Sequence, residues 1–431
     1  MKKYDSYKDS GIEWIGEIPS HWKNTRIKFT VKEEDSLFID GDWIESKVIT
    51  EDGIRYITTG NVKVGYYSEQ GNGYISPQTF LDLNCTEVFE GDLIISRLNN
   101  PIGRACIVPN LNSRIVTSVD NVIYRPDSNL NKRFLLHLFS SKEYFEHTEL
   151  ISRGATMQRI SRGMLGNLKI PLPDIEEQTS IANYLDQKTT QLDDLIAKKE
   201  RLIQLLEEER TAIINQAVTK GLDPTVPMKD SGIEWLGEIP AHWEVKKLAF
   251  EFQTLNTKRI PLSAEERGRM VVREYDYYGA SGVIDKVENY LFDEDLILIG
   301  EDGANLLTRS KRLVFIASGK YWVNNHAHII KPNTGNINYF CELLELIDYT
   351  IYISGSAQPK LTQEALMSIK IPVPPVSEQN SIFMFLENKL QTIDKTIKSA
   401  QQEIELLKEY KTALISEVVT GKVDVREEII N

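Results

Sequence analysis

Cysteine is nearly absent. Cys85, Cys106 and Cys341 are the only three, widely separated and in no CxxC pair. That set supports neither a disulfide framework nor a cysteine-based zinc site, and it points to a reducing compartment. No run of eighteen apolar residues occurs, which argues against a membrane span. The opening MKKYDSYKDSG lacks the apolar stretch of a secretory signal, so the expected location is cytoplasmic.

Catalytic signatures are missing as well. There is no GxxxxGK[ST] phosphate loop, no G-x-S-x-G elbow and no H-E-x-x-H zinc pair. NNPI (Asn99 to Ile102) lacks the second proline and the aromatic with which a base-flipping adenine methyltransferase loop stacks on its target. His326 and His328 flank Ala327, and strand alternation would put both rings on one face. Sequence places no third ligand beside them. The expectation is a chain that is not an enzyme and binds no metal or cofactor itself.

What is present is a soluble composition over 431 residues, 41% hydrophobic and 26% charged, long enough for two to four domains. The formal charge of −13 would ordinarily count against nucleic acid, but it is unevenly spread. Asn305 to Lys331 holds Arg309, Lys311, Arg312, Lys320 and Lys331 without an acid. Ile151 to Lys169 holds Arg153, Arg159, Arg162 and Lys169, again without one. Binding follows the local field at the contact surface rather than the total.

The dominant feature is a repeat. KDSGIEWIGEIPSHW (Lys8 to Trp22) returns as KDSGIEWLGEIPAHW (Lys229 to Trp243), with thirteen of fifteen positions identical at an offset of 221. IPLPDIEEQTSIANYLDQKTTQLDD from Ile170 returns as IPVPPVSEQNSIFMFLENKLQTIDK from Ile371, at an offset of 201. Between these echoes lie two blocks that share little sequence. A duplicated frame with changed inserts suggests one scaffold presenting two different heads. Trp14, Trp22, Trp235 and Trp243 belong to the frame and are expected as buried anchors.

The second echo has helical period. Leu185, Leu192, Leu206 and Ile213 fall at multiples of seven, with Ile181, Leu195 and Leu202 interleaved. Leu386, Ile393, Ala400, Leu407 and Leu414 repeat the pattern, with Leu390, Ile397 and Ile404 between. The prolines Pro171, Pro173, Pro372, Pro374 and Pro375 are expected at the helix starts, Asp174 and Glu177 as a capping box, and Gly221 and Gly421 at the ends. Each helix would run about 40 residues, roughly 60 Å, and the natural cover for its stripe is its duplicate, paired antiparallel. The inserts look β-rich, with strands flanking the loops of GDLIISRLNNPIGRACIVP and DLILIGEDGANLLTRSKRLVFIAS. FLLHLFSSKEYFEHTELI and INYFCELLELIDYTIYI are each expected as one helix. The expected class is α+β, in four segments: 1–169, 170–221, 222–370 and 371–431.

The paired I-P-[LV]-P-x-x-x-E-Q phrases at Ile170 and Ile371 resemble the specificity subunit of a Type I restriction–modification enzyme over nearly the whole chain. So do G-A-T-M-Q-R-I (Gly154 to Ile160) and G-S-A-Q-P-K-L (Gly355 to Leu361) just upstream, and the Pro-x-His-Trp endings at Pro19 and Pro240. The resemblance implies two α/β target recognition domains joined by an antiparallel coiled coil, with a pseudo-twofold internal repeat. Each domain would read half of a split site on double-stranded DNA. Two methyltransferase subunits, carrying S-adenosylmethionine, would dock on the chain, and two restriction or motor subunits using ATP and Mg would join them.

Base reading requires Arg or Lys for guanine, Asn or Gln for adenine and carboxylates for cytosine, carried on loops. The first block offers Arg97, Asn99, Asn100, Arg104, Arg153, Gln158 and Arg159. The second offers Glu301, Asp302, Asn305, Arg309, Lys311, Asn324, Asn325, Gln358 and Lys360, with Tyr277, Tyr278 and Ser281 as weaker members. An exposed loop arginine is more commonly a phosphate contact or a solvated charge than a base reader. The competing class is a coiled-coil adaptor with β-rich protein-binding heads.

Overall fold

The computed structural model describes residues 2–71, 73–154, 158–355 and 359–428. The chain divides into two compact units, Met1–Glu200 with Gln401–Asn431, and Arg201–Ala400. Each unit holds one copy of the repeated phrase, one variable block, the first part of one long helix and the last part of the other.

The repeated phrase folds the same way in both units. Tyr7–Asp9 pairs antiparallel with Glu17–Pro19, and Met228–Asp230 with Glu238–Pro240. Trp22 and Trp243 are fully buried, whereas Trp14 and Trp235 are only half-buried. The histidine of each Pro-x-His-Trp ending bonds the glutamate of the E-Q pair: His21 Nε2 lies 2.8 Å from Glu177, and His242 Nε2 lies 2.8 Å from Glu378. Gly421 takes a φ of +75° beside Pro19 and Trp22, where a Cβ would collide with the proline ring. Gly221 takes the same φ beside Trp243 and Glu378. Both glycines therefore end a helix as expected, in the left-handed conformation that glycine adopts at no steric cost.

Two of the prolines do not sit where the period places them. Lys169–Leu172 pairs with Lys23–Arg26, and Lys370–Val373 with Glu244–Lys247, so Pro171 and Pro372 are strand residues rather than helix starts. A two-stranded ladder is all edge and tolerates their missing N–H. The long helices, α1 (Ile175–Lys220) and α2 (Val376–Val419), begin a few residues later. Asp174 caps α1 by accepting from the Glu177 N–H at 2.9 Å, but the Glu177 carboxylate turns to His21, leaving half a capping box. The glutamines tie the helix to the head. Gln178 accepts from the Asn131 N–H and donates to the Pro173 carbonyl, and Gln379 repeats both bonds with Asn336 and Pro374, all at 2.9 Å.

The helices pair antiparallel within each unit. In the first, Asp193 meets Lys411 at 2.7 Å and Lys199 meets Glu403. In the second, Arg210 meets Asp394 at 3.5 Å. Lys199 and Arg210 thus occupy seam positions and extend to acids on the facing helix. The interleaved apolar set is shifted by one residue: Ile196 and Ile203 are half-buried, whereas Leu195 and Leu202 are about two-fifths exposed. Alternating steps of four and three from Leu192 select the isoleucines.

Each variable block builds a four-stranded antiparallel sheet. The first uses β1 (Leu37–Asp40), β2 (Leu93–Ser96), β3 (Ala105–Ile107) and β4 (Asn121–Arg125), ordered β1-β4-β2-β3. The second uses β5 (Phe252–Thr254), β6 (Leu296–Gly300), β7 (Val314–Ala317) and β8 (Ala327–Pro332), ordered β5-β8-β6-β7. The order is identical although the sequences are not. β2 and β6 are continuous apolar runs because both of their faces are covered. A second small sheet in each unit contains one parallel pairing, Ile115–Thr117 with Ile54–Ile57 and Tyr275–Gly279 with Lys320–Val323.

The two helices expected in the blocks are interrupted. Lys132–Leu138 and Lys142–Ile151 are separate, because the Ser140 and Ser141 hydroxyls donate back to the carbonyls of Leu136 and Leu138 at 2.8 Å. Ile337–Glu345 is helical, but Asp348 then accepts from the Thr350 N–H and hydroxyl, turning the chain into an extended Ile353–Ser354. No helix among the described residues is long and apolar enough to cross a membrane. All three cysteines are free and buried.

Candidate nucleic-acid interface

β2 and β6 end at equivalent points, and the residue after each is gripped by the same backbone bonds. The Arg97 N–H donates to the Asp120 carbonyl at 2.8 Å, and the Arg97 carbonyl accepts from Ile160 at 3.0 Å. The Glu301 N–H donates to the His326 carbonyl at 2.8 Å, and the Glu301 carbonyl accepts from Leu361 at 2.8 Å. Isolated bridges complete the match, Leu98 with Arg159 and Asp302 with Lys360. Three loops therefore converge on one frame in each unit.

The side chains on that frame have opposite charge. Arg97 is buried and lies 3.3 Å from Asp40 and 3.9 Å from Asp120. Asp120 continues to Arg159 at 2.7 Å, and Asp40 to Arg162 at 3.3 Å. The chain of charges runs Arg162, Asp40, Arg97, Asp120, Arg159, with a surplus of one cation and its two ends half-exposed. Burial holds the Arg97 guanidinium below its ordinary value, and the neighbouring Asp40 carboxylate opposes this.

In the second unit Glu301 is the buried centre. Arg259 bonds it, Lys360 lies at 3.2 Å and His328 at 3.6 Å. Burial pushes its carboxyl up, but the Arg259 bond and the surrounding positive groups outweigh burial and keep it below the usual range. His328 Nε2 faces the Leu361 carbonyl at 2.7 Å, and its Nδ1 accepts from the Asn256 amide at 2.9 Å. Those partners fit a neutral ring carrying its proton on Nε2. Burial depresses its pKa below 6.5, with the Leu361 carbonyl and Glu301 opposing.

The depressed pKa sets a sign. Below about pH 6.5 the unfolded chain takes a proton that the folded ring refuses, so stability falls as pH drops through that value toward the folded pKa. His328→Gln should flatten the dependence between pH 7.5 and 5.5 in thermal denaturation. An equally steep profile in the variant would show that another group carries it.

The two histidines do not share a face. His326 sits in the turn before β8 and pairs with Asp302 at 2.8 Å, while His328 is buried in the Glu301 cluster. Among the described residues, no group of three or more His, Cys, Asp or Glu is placed to hold a metal ion.

The remaining predicted site residues divide by placement. Arg104 is buried and donates to the carbonyls of Thr59, Val62, Leu98 and Pro101 at 2.6–3.1 Å, so it fastens its own loop. Asn99 and Asn100 are exposed at the tip, with the Asn99 N–H 3.4 Å from the half-buried Gln158 carbonyl. Arg153 is exposed and pairs through its backbone with Arg159. In the second unit Asn324 is buried and accepts from the His326 N–H at 2.8 Å, while Asn325 is exposed. Asn305 accepts from the Lys311 N–H at 2.9 Å and shapes that turn. Arg309 reaches Glu345 at 3.3 Å, away from Glu301. Tyr277 is buried, Tyr278 stacks on Phe315 with centroids 5.8 Å apart, and Ser281 is half-buried at a hairpin tip. Gln358 lies outside the described residues.

The basic islands are less basic in space than in sequence. Asp40 and Asp120 meet Arg162 and Arg159, Glu342 meets Arg312 at 3.0 Å, and Glu294 meets Lys331 at 2.5 Å. Asp40, Asp120, Arg162, Asn256 and Arg259 are the cluster members not foreseen. Arg162 alone carried a signal, its place in the acid-free run.

A family model described as the Type I restriction modification DNA specificity domain matches residues 27–207 and 240–408. The MjaX type I restriction enzyme specificity subunit of Methanocaldococcus jannaschii is 27% identical over 427 residues, covering 96% of both chains. The EcoKI specificity subunit of Escherichia coli is 30% identical over 129 residues, 30% of this chain and 26% of that one. In fold, the chain is similar to the HsdS subunit from Thermoanaerobacter tengcongensis, with a TM-score of 0.56, 13% identity and coverage of 94% and 98%. A structure described as showing complex assembly of the type I R-M system matches with a TM-score of 0.65, 14% identity and coverage of 94% and 99%.

Proposed function

The chain belongs to the type I restriction–modification DNA specificity family, and we propose that it is the noncatalytic reader of a split DNA site. The observation that carries this is the shared backbone frame on which Arg97 and Glu301 stand as equivalents of opposite charge. One scaffold with two unlike heads suits two unlike half-sites. Arg159, Arg153, Asn99 and Asn100 are the exposed groups proposed to face one half, and the exposed Asn325, Lys360 and Lys311 with the half-buried Asp302 the other. Arg97, Glu301, Arg104, Asn324 and Gln158 hold those groups in place. Gln358 is proposed as a reader on sequence grounds alone, and Tyr278, Ser281, Asn305 and Arg309 as supports or phosphate contacts. The long helices set the distance between the halves.

Two methyltransferase subunits dock on the repeated frame and supply S-adenosylmethionine chemistry, and two ATP- and Mg-using restriction or motor subunits assemble through them. The assembly works in the cytoplasm. Mapping N6-methyladenine in DNA from cells carrying the chain and its partners should reveal one split target. Removing one heptad from each long helix should then shorten the unread gap by up to about three base pairs, since seven residues rise about 10 Å. An unchanged gap would refute the spacer role. Affinity for the duplex should fall with salt at a slope of roughly −0.9 per phosphate neutralised. A flat slope would favour the protein-binding adaptor instead.

A further inference from the structure

We infer that the second unit reads a thymine through its 5-methyl group, with Val283 and Ile284 as the contacting side chains. This rests on the proposed role above and adds an apolar reader to a face whose other proposed readers are polar.

The pair sits on a hairpin. Tyr275–Gly279 runs antiparallel to Gly282–Val287, with Ala280 and Ser281 at the tip. The register skips Ile284: Tyr277 faces Asp285 and Tyr278 faces Val283, which makes Ile284 the extra residue of a β-bulge. A regular strand would send Val283 and Ile284 to opposite faces. The bulge cancels that alternation, and these two consecutive apolar side chains are 49% and 56% exposed.

Three contacts fix the hairpin to the recognition frame. The Asn324 N–H donates to the Tyr278 carbonyl at 3.0 Å. The Ala280 carbonyl fills the space that a Cβ would need at Gly300, the residue before Glu301. A Cβ at Gly279 would lie 3.1 Å from Ile284 Cδ1 and 3.5 Å from Asn324 Nδ2, so these two side chains close over the same bare backbone. Ile284 therefore stands beside Asn324, next in sequence to the exposed Asn325.

The first unit repeats the plan. The Ser118 N–H donates to the Ile57 carbonyl at 3.1 Å, and Ser118 and Asn324 each lie two residues before the carbonyl that grips the frame, at Asp120 and His326. The loop that follows Ile57 is fastened by Arg104 and exposes Tyr66 at 61%. Each head thus adds a fourth loop with an exposed apolar group, and that loop differs between the heads as the other three do.

The chemistry of the duplex selects the target. In the major groove, the methyl of thymine is the apolar group that distinguishes one base pair from the rest. Asparagine is the residue type that bonds the N6 and N7 edge of adenine. Asn325 beside an apolar pair therefore suits A·T: amide to adenine, aliphatic carbon to thymine. Two side chains also cover far less than the roughly 800 Å² that each partner gives to a standard protein interface.

Methylation mapping supplies the split target, and fluorescence anisotropy then measures its binding to the full chain in complex with its methyltransferase partner. Each thymine of the target and its flanking pairs is replaced in turn by deoxyuridine, which removes the methyl and nothing else. One replacement should weaken binding about fourfold, the weight of a single buried methyl group. Val283→Ser with Ile284→Ser should weaken binding to the natural target at least as much, melt with the parent, and show no further loss at that deoxyuridine. Full-strength binding of the parent to every deoxyuridine duplex would overturn the inference. So would equal deoxyuridine penalties in parent and variant, since the methyl would then meet another residue. A variant that loses the methyltransferase rather than the DNA would mark the pair as a protein contact and overturn it too. Failure of the parent complex to bind any split target would overturn the proposed role itself.

Discussion

Alanine at Arg97 should destabilise the first unit by about 3 kcal/mol and abolish recognition of the half-site it reads. Breaking a buried pair from one side leaves the other charge uncompensated, typically at about 3–5 kcal/mol. Asp40 and Asp120 keep 30% and 31% side-chain exposure, which places the effect at the low end of that range. Their remaining partners, Arg162 and Arg159, would be drawn inward toward the vacated space. Arg159 would then leave the surface where it is proposed to meet DNA. Chemical denaturation of the full chain measures the first effect and methylation of each half-site variant the second. Adding Asp40→Asn and Asp120→Asn should recover most of the stability but none of the recognition. A single variant with an unmoved denaturation midpoint would show that the cluster does not hold the loops.

The counterpart change in the second unit should move DNA affinity in the opposite sense. Glu301→Ala removes the carboxylate shared by Arg259, Lys360 and His328. Lys360 is 52% exposed and would become an unpaired cation on the proposed contact face. Affinity for an unrelated duplex should rise, by about tenfold at low salt, and the salt slope should steepen by roughly 0.9–1.8, the weight of one or two added phosphate contacts. Discrimination for the true half-site should fall at the same time, because Lys360 would no longer be held to one geometry. His328 would keep the Leu361 carbonyl but lose the carboxylate that also raises its pKa, deepening the loss of stability in acid. Fluorescence anisotropy over a salt series decides the matter. A slope equal to the parent's would mean that this face does not meet the backbone of DNA.

Much of the architecture is legible in the sequence because duplication writes it twice. The Trp–His endings, the E-Q pairs and the terminal glycines are local signals, and each is found doing the same task in both units. The misread details are those decided by a partner. Leu195 and Ile196 both fit a helical stripe, and the facing helix selects one. Pro171 has the composition of a helix start but is recruited into a ladder by Lys23–Arg26, far away in sequence. The recognition loops show the same limit. Arg97 and Arg104 look alike as loop arginines, yet one joins a charged chain and the other binds four carbonyls. Asp40 lies 57 positions before Arg97, and Arg259 lies 42 before Glu301, so nothing local announces either pairing.

The division of the chain has a consequence for its synthesis. The second unit is continuous, Arg201–Ala400, but the first needs Gln401 onward to finish its core, including Leu414, Val418 and Val423. Domains made first on the ribosome usually close first. Here the first head waits for residues that are translated after the whole of the second, with Trp22 and Leu185 lacking part of their cover until then. A chain released at residue 400 would carry every residue of the second unit but would lack part of the first.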